Sequence, residues 1–326
     1  FVAFILIALG SSFGGFATLM VSIVSWFDAH RAKAVAMSQI GFSAGGLCVP
    51  FVMMGLEAFG WRCMAMYSGI LILVLGIPLV SLVRHRPEDY GEVPDGVRRS
   101  GPKPANSSEA SSETCDDGSM AAAGHSQISL SWQQAVREPS FWLISTGHGL
   151  SLLTVSSMLA HLIPYLTFDL GYTPVNAGFI FALMTALQMA GLFLGGMIGD
   201  RFDKRLICTL CMVGHFIGLI ALTHAAEPSL VLLFAVAHGL AWGTRAPLMV
   251  ALRADYFGPK SFGTIMGISS LIVMIGMTIG PLFSGVMFDI YGNYNLAFTC
   301  IACCSLAGGL CFWFAKTPKL QGAASS

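Results

Sequence analysis

Gly196-Met197-Ile198-Gly199-Asp200-Arg201-Phe202-Asp203-Lys204-Arg205 closes a stretch, 170–199, that holds no Asp, Glu, Lys or Arg. A hydrocarbon core about 30 Å thick is crossed by a helix of about 20 apolar residues. A run of this kind must satisfy its own backbone hydrogen bonds, so it reads as a membrane helix. The cluster of charge that follows marks the return to water. The same alternation recurs along the chain. Uncharged stretches cover 1–27, 34–56, 63–83, 139–168, 170–199, 206–226, 228–244, 261–288 and 290–315. The stretch 228–244 spans fully only if Arg245 is allowed inside the membrane. The fold class is therefore an all-α polytopic membrane protein with nine transmembrane helices.

Composition agrees. Of 326 residues, 55% are hydrophobic and 10% are charged, where a soluble domain carries about 25% charged. The formal net charge is zero, which gives no basic signal for nucleic acid. The nine cysteines lack metal-ligand spacing and read as small packing residues. Zinc spacings and catalytic signatures are missing. So is a nucleotide-binding Gly-rich loop with a lysine. Neither an enzyme nor an ATP-driven pump is expected, and no cofactor or metal.

Lys and Arg fix the expected orientation. One set of loops holds Arg31, Lys33, Arg84, Arg86, Arg98, Arg99, Lys103, Arg137, Arg201, Lys204, Arg205, Arg253, Lys260, Lys316 and Lys319, and the other set holds only Arg62. The first set is cytoplasmic by the positive-inside rule. That places the C-terminus and the 84–138 loop inside a plasma (inner) membrane. Arg245 alone falls within a span. The polar segment 84–138 reads as a largely disordered cytoplasmic linker. Ser131 and Gln134 in it form a capping pattern for a short amphipathic helix at 129–137.

An internal repeat sets the architecture. Phe59-Gly60-Trp61-Arg62-Cys63-Met64-Ala65-Met66 overlays Tyr291-Gly292-Asn293-Tyr294-Asn295-Leu296-Ala297-Phe298. Upstream, Trp26-Phe27 and Tyr256-Phe257 each precede a basic loop and a Gly-rich helix: Gly41, Gly45, Gly46 and Pro50 in one, Gly276, Gly280, Pro281 and Gly285 in the other. The first three helices thus match the last three in order and orientation, a parallel repeat with a period of six. Residues 139–316 form a complete six-helix half. Residues 1–83 show the last three helices of another, 84–138 joins them, and 317–326 is a tail. About three further helices are expected upstream of Phe1.

Two six-helix halves joined by a long loop resemble the major facilitator superfamily. Gly196 to Arg205 is similar to its signature loop, Gly-x-x-x-Asp-Arg-x-x-Lys/Arg-Lys/Arg, between the eighth and ninth of twelve helices. Trp26-Phe27 with Arg31, Gly60-Trp61-Arg62, Arg84-His85-Arg86-Pro87-Glu88-Asp89-Tyr90-Gly91 and Ala254-Asp255-Tyr256-Phe257-Gly258 resemble the branch of monocarboxylate transporters and oxalate/formate antiporters. The branch's best-known members carry a charge in the eighth helix, whereas 170–199 has none. The resemblance implies secondary transport of a small organic solute, an organic anion such as a carboxylate, by alternating access. A proton or a counter-substrate would drive it, and the working unit would be a monomer. The signature loop implies an inner gate of Asp200, Arg201, Lys204 and Arg205, with its partner near Arg31. The alternative is a membrane receptor that keeps a transporter fold without transport.

Polar groups inside the spans are the candidates for substrate binding, because a charge in hydrocarbon costs about 2.5–3.5 kcal/mol on insertion scales and so faces a cavity. Arg245 leads. His238 and Trp242 lie on the same helix face, seven and three residues earlier. His148, His161 and Tyr165 on 139–168 and Gln188 on 170–199 complete the set. The Gly-rich faces read as close helix packing.

Overall fold

The computed structural model describes residues 2–14, 26, 31–84, 90, 130–199, 201–258 and 261–318, and every structural statement below concerns these. Contacts divide the chain into two compact units, 1–39 with 65–126, and 40–64 with 127–326.

In the first unit, α1 (Val2–Gly14) is a short apolar helix. Two longer helices, α2 (Arg31–Leu47) and α3 (Val49–Leu82), each have residues in both units. Trp26 Nε1 donates to the Arg84 carbonyl at 2.7 Å, and the Arg84 guanidinium lies 4.4 Å from the Tyr90 ring centroid. These contacts place Trp26 and Tyr90 against Arg84, just past the end of α3.

Seven helices among the described residues are long and apolar enough to span a membrane, and one of them is counted as Met37–Leu82. A continuous helix of that length would extend far beyond a bilayer core at about 1.5 Å per residue. It is broken at Gly60, with φ 74 and ψ 164. A Cβ on Gly55 would strike the Met64 thioether, although nine residues of straight helix hold such positions about 13 Å apart. The chain reverses at Gly60, where only glycine adopts that backbone without strain. The sequence stretches 34–56 and 63–83 lie on either side of this break in the chain.

The second unit holds the six-helix half. The short helix α4 (Trp132–Arg137) opens with the expected capping box. Ser131 Oγ accepts from the Gln134 N–H at 3.3 Å, and the Ser131 N–H donates to Gln134 Oε1 at 2.9 Å. Then come α5 (Pro139–Pro164), extended by a π-turn at Tyr165–Asp169, α6 (Pro174–Ile198), α7 (Lys204–Thr223), α8 (Pro228–Phe257), α9 (Phe262–Tyr291) and α10 (Asn295–Phe314). Local signals set their ends. Pro139, Pro174 and Pro228 occupy first-turn positions, where the missing N–H costs nothing. Thr173 and Asp203 cap α6 and α7 through their side chains. Gly258 and Gly292, at φ 74 and 70, stop α8 and α9.

The main packing partners follow one another as α6, α8, α7, α10, α5, α9. Exchanging the first three helices of the half with the last three reverses this order and leaves it otherwise unchanged. The half is thus itself an inverted repeat of two three-helix units. Its two equivalent tight crossings, α6 with α8 and α5 with α9, are built on glycine. A Cβ on Gly243 would overlap the Gln188 carbonyl, and one on Gly276 would overlap the Gly149 backbone. Without a hydrophobic driving force in lipid, such close backbone approach is what holds helices together.

Candidate functional site

Helix α8 carries the polar core of the six-helix half. Arg245 is 1% exposed and Arg253 2%. The sequence reading places Arg245 inside the span and takes Arg253, a loop residue, as its inner boundary. Instead α8 runs unbroken to Phe257, so two arginines lie within it. The difference is physical: a second basic residue reads as the return to water, but a bundle interior can solvate a guanidinium with its own dipoles. Arg253 shows how. Its Nε and Nη2 donate to Ser269 Oγ at 3.1 and 2.8 Å, Nη1 to the Met249 carbonyl at 3.0 Å, and Nη2 to His148 Nδ1 at 3.0 Å. Ser145 and Ser269 hydroxyls meet at 2.8 Å. Arginine can only donate, so Nδ1 of His148 must accept. Sequence reasoning missed Arg253, Ser145 and Ser269. The signal was the wholly apolar stretch 246–252 between the two arginines, which lets the helix continue.

Arg245 is different. Its Nε and Nη1 are buried with no partner. Between Glu138 and Lys316 the only acidic residues are Asp169, Asp200, Asp203, Glu227, Asp255 and Asp289, all near helix ends. Among the described residues, no ion pair holds Arg245. His238, two turns earlier on α8, faces His215 of α7 with Nδ1 atoms 3.1 Å apart. Trp242 meets Phe42 of α2 edge-on, with centroids 5.8 Å apart.

The remaining candidates do not join Arg245. His161 contacts the Tyr294 hydroxyl at 3.1 Å and the Pro281 carbonyl at 3.0 Å. Tyr165 donates to the Leu222 carbonyl at 2.8 Å, and its hydroxyl lies 3.3 Å from Asn295 Oδ1. Both therefore belong to the Tyr294 end of the half. Gln188 Oε1 accepts from the Ser43 hydroxyl, and Gly46 packs on Thr185, so the 43–46 part of α2 lies against α6. A side chain at Gly41 or Gly45 would meet open space among the described residues, so Gly46 alone of these three glycines makes a close contact there. Among the described residues no three His, Cys, Asp or Glu side chains converge on a metal-sized site.

At the other end of α7, Lys204 pairs with Asp255 at 2.7 Å. Arg205 pairs with Asp203 at 2.6 Å and donates to the Ala315 carbonyl at 3.2 Å. These contacts all lie within the six-helix half. Asp200 and the side chain of Arg31 lie outside the described residues, and Arg201 is exposed. The Asp203 carboxyl accepts the Arg205 guanidinium and backbone N–H, which holds it below the usual carboxylate range. Its capping contribution is complete above the ordinary aspartate pKa, about 4, and is lost as pH falls through the lowered value. Replacing this cap with alanine typically costs about 1 kcal/mol. Asp203→Ala is thus expected to lower the detergent melting temperature modestly near neutral pH and less in acid; a pH-independent loss would contradict the cap.

The family model described as Major Facilitator Superfamily matches residues 1–161 and 149–326. The chain is 25% identical over 288 residues to "MFS transporter asaE" of Aspergillus flavus, covering 86% of this chain and 57% of that protein. It is 23% identical over 315 residues to monocarboxylate transporter 12 of Rattus norvegicus, covering 90% and 61%. It is 28% identical over 172 residues to the cyanate transport protein CynX of Escherichia coli, covering 52% and 44%. The chain spans less than two thirds of each relative. Among solved structures, it matches a bacterial homolog to the human lysosomal transporter Spinster in an inward-facing, occupied conformation. The TM-score is 0.56 at 15% identity, over 91% of this chain and 71% of that one, a likeness of fold.

Proposed function

The chain belongs to the major facilitator superfamily, and on that premise we propose that it is a secondary active transporter of a small organic anion, such as a carboxylate. It works by alternating access, with proton coupling or exchange. It is an integral membrane protein; in this proposal it sits in the plasma membrane with its C-terminus in the cytoplasm, acts as a monomer and performs no catalysis. Relatives named as monocarboxylate transporters support the substrate class.

The observation that carries the anion is Arg245. It is a buried guanidinium with two unpartnered nitrogens, in a half whose acids all lie near helix ends. A buried charge needs a counter-charge or water. A carboxylate can satisfy a guanidinium through two parallel hydrogen bonds. His238 and Trp242 flank it on α8. His148 belongs to the site through Arg253. His161, Tyr165 and Gln188 act at a distance, in the helix contacts that the cycle rearranges. Asp200, Arg201, Lys204 and Arg205 act as gating residues, and so does Arg31.

The rival is a receptor with a transporter fold. Concentrative accumulation of a labelled anion by cells that express the protein supports transport. Saturable binding without accumulation supports the receptor and refutes the proposal.

A further inference from the structure

Where α5 begins and α10 ends, Glu138, Ser140, Leu143, Phe314 and Lys316 line a cavity of about 340 Å³. Sites for small molecules run from about 300 to 1,000 Å³. The chain that carries Lys316 is held in place. The Ala315 carbonyl accepts from the Tyr256 hydroxyl at 2.7 Å and from Arg205 Nη1 at 3.2 Å. One membrane span starts at Pro139 and another stops at Phe314, so the cavity lies at the boundary between lipid and water. Trp142 and Trp313, both largely exposed, suit that boundary, where amphipathic rings collect.

Three polar side chains of this cavity lack partners. Ser140 is 3% exposed, and its hydroxyl is buried without a hydrogen bond. Such groups are rare. Glu138 stands at the cap position of α5 and makes no capping bond with its side chain. Among the described residues, neither its carboxylate nor the Lys316 ammonium has a hydrogen bond or an ion pair. An acid and a base that line one cavity without pairing leave room for a molecule that carries both charges. The first turn of α5 adds the positive end of its dipole and suits an anion beside Ser140.

We infer that this cavity holds the head group of phosphatidylethanolamine, with its phosphate on Ser140 and Lys316 and its ammonium on Glu138. A primary ammonium donates hydrogen bonds to a carboxylate, and such charged bonds are the strong ones. A choline head group has no N–H to give Glu138, and Phe314 is the only aromatic ring in the lining, where a quaternary ammonium needs a cage of several. A head group with negative charge alone leaves the Glu138 carboxylate unpaired beside it. Phe314 lines the cavity and is 59% exposed, so the acyl chains of a lipid seated here run down the apolar surface of α10. The site shares no residue with the Arg245 region and does not depend on the transport proposal.

The test titrates radiolabelled phosphatidylethanolamine in detergent micelles onto the full purified chain. The competitors are phosphatidylcholine and phosphatidylglycerol with the same acyl chains, and free phosphoethanolamine. Saturable binding is expected, with the two other lipids competing about tenfold more weakly, as for loss of one charged hydrogen bond. Glu138→Gln removes this preference by weakening phosphatidylethanolamine about tenfold, while phosphatidylglycerol binds at least as well as before. A merely structural role for Glu138 would lower the melting temperature and leave the preference in place. Ser140→Ala weakens phosphatidylethanolamine severalfold without lowering the melting temperature of the lipid-free protein, because the hydroxyl has no bond to lose there. No saturable binding, equal competition by phosphatidylcholine, or a preference that survives Glu138→Gln overturns the assignment. Free phosphoethanolamine that competes as well as the lipid overturns the lipid in favour of a soluble ligand.

Discussion

Gly276→Val is expected to stop the six-helix half from assembling. A Cβ at this position would overlap the carbonyl, carbonyl carbon and Cα of Gly149 on α5. These are backbone atoms, which no rotamer change moves. Relief requires α5 and α9 to separate along a crossing where Gly280 also lies against the Leu153 carbonyl. Overpacking a well-filled interior typically costs about 1–3 kcal/mol, and a clash with backbone belongs at or above the top of that range. Membrane abundance should fall to a small fraction of wild type, with no cooperative melting in detergent. Gly267→Ala is the control. A side chain there meets open space, and alanine favours a helix over glycine by up to about 1 kcal/mol. Wild-type abundance of Gly276→Val would contradict the close crossing.

Arg245→Ala is expected to abolish anion binding with little loss of protein from the membrane. The guanidinium makes no hydrogen bond through Nε or Nη1, so its removal breaks no bond at either atom, and it relieves the cost of a buried cation. The loss should appear in affinity, by about 100-fold or more, as for removal of one partner of a buried charged pair. Arg245→Lys keeps the charge but not the planar fork, and is expected to lose about tenfold. A structural counter-charge elsewhere in the protein predicts the opposite pattern. Arg245→Ala would then destabilise the protein, and removing that acid as well would restore it. Affinity and abundance measured on both variants separate the two accounts.

The helical class was legible because lipid imposes one rule, that each span satisfy its own backbone. Hence the uncharged stretches from residue 34 onward fall on the described membrane helices, and the glycines at 276 and 280 marked a real crossing. The capping box at Ser131 was legible for a similar reason, since it depends on neighbouring residues alone. The candidate site was less so. Arg253 looked like a loop residue because its acceptors, Ser269, His148 and the Met249 carbonyl, come from three helices and leave no periodic trace. His215 was passed over for the same cause: its meaning lies in His238, on another helix. His161 and Tyr165 shared a helix with His148 but not a level along it, so one list of polar residues became groups at two ends of the half. The inverted repeat within the half shows only in packing order, because three-dimensional equivalence survives where residue identity does not.

The central claim is that an organic anion crosses the membrane on Arg245. Counterflow in proteoliposomes measures this most directly: the protein is reconstituted with unlabelled carboxylate inside, and labelled carboxylate is added outside. The prediction is a saturable, transient accumulation of label with wild type, and none with Arg245→Ala present at equal abundance. Binding of label without counterflow in wild type, or undiminished counterflow in Arg245→Ala, would contradict it.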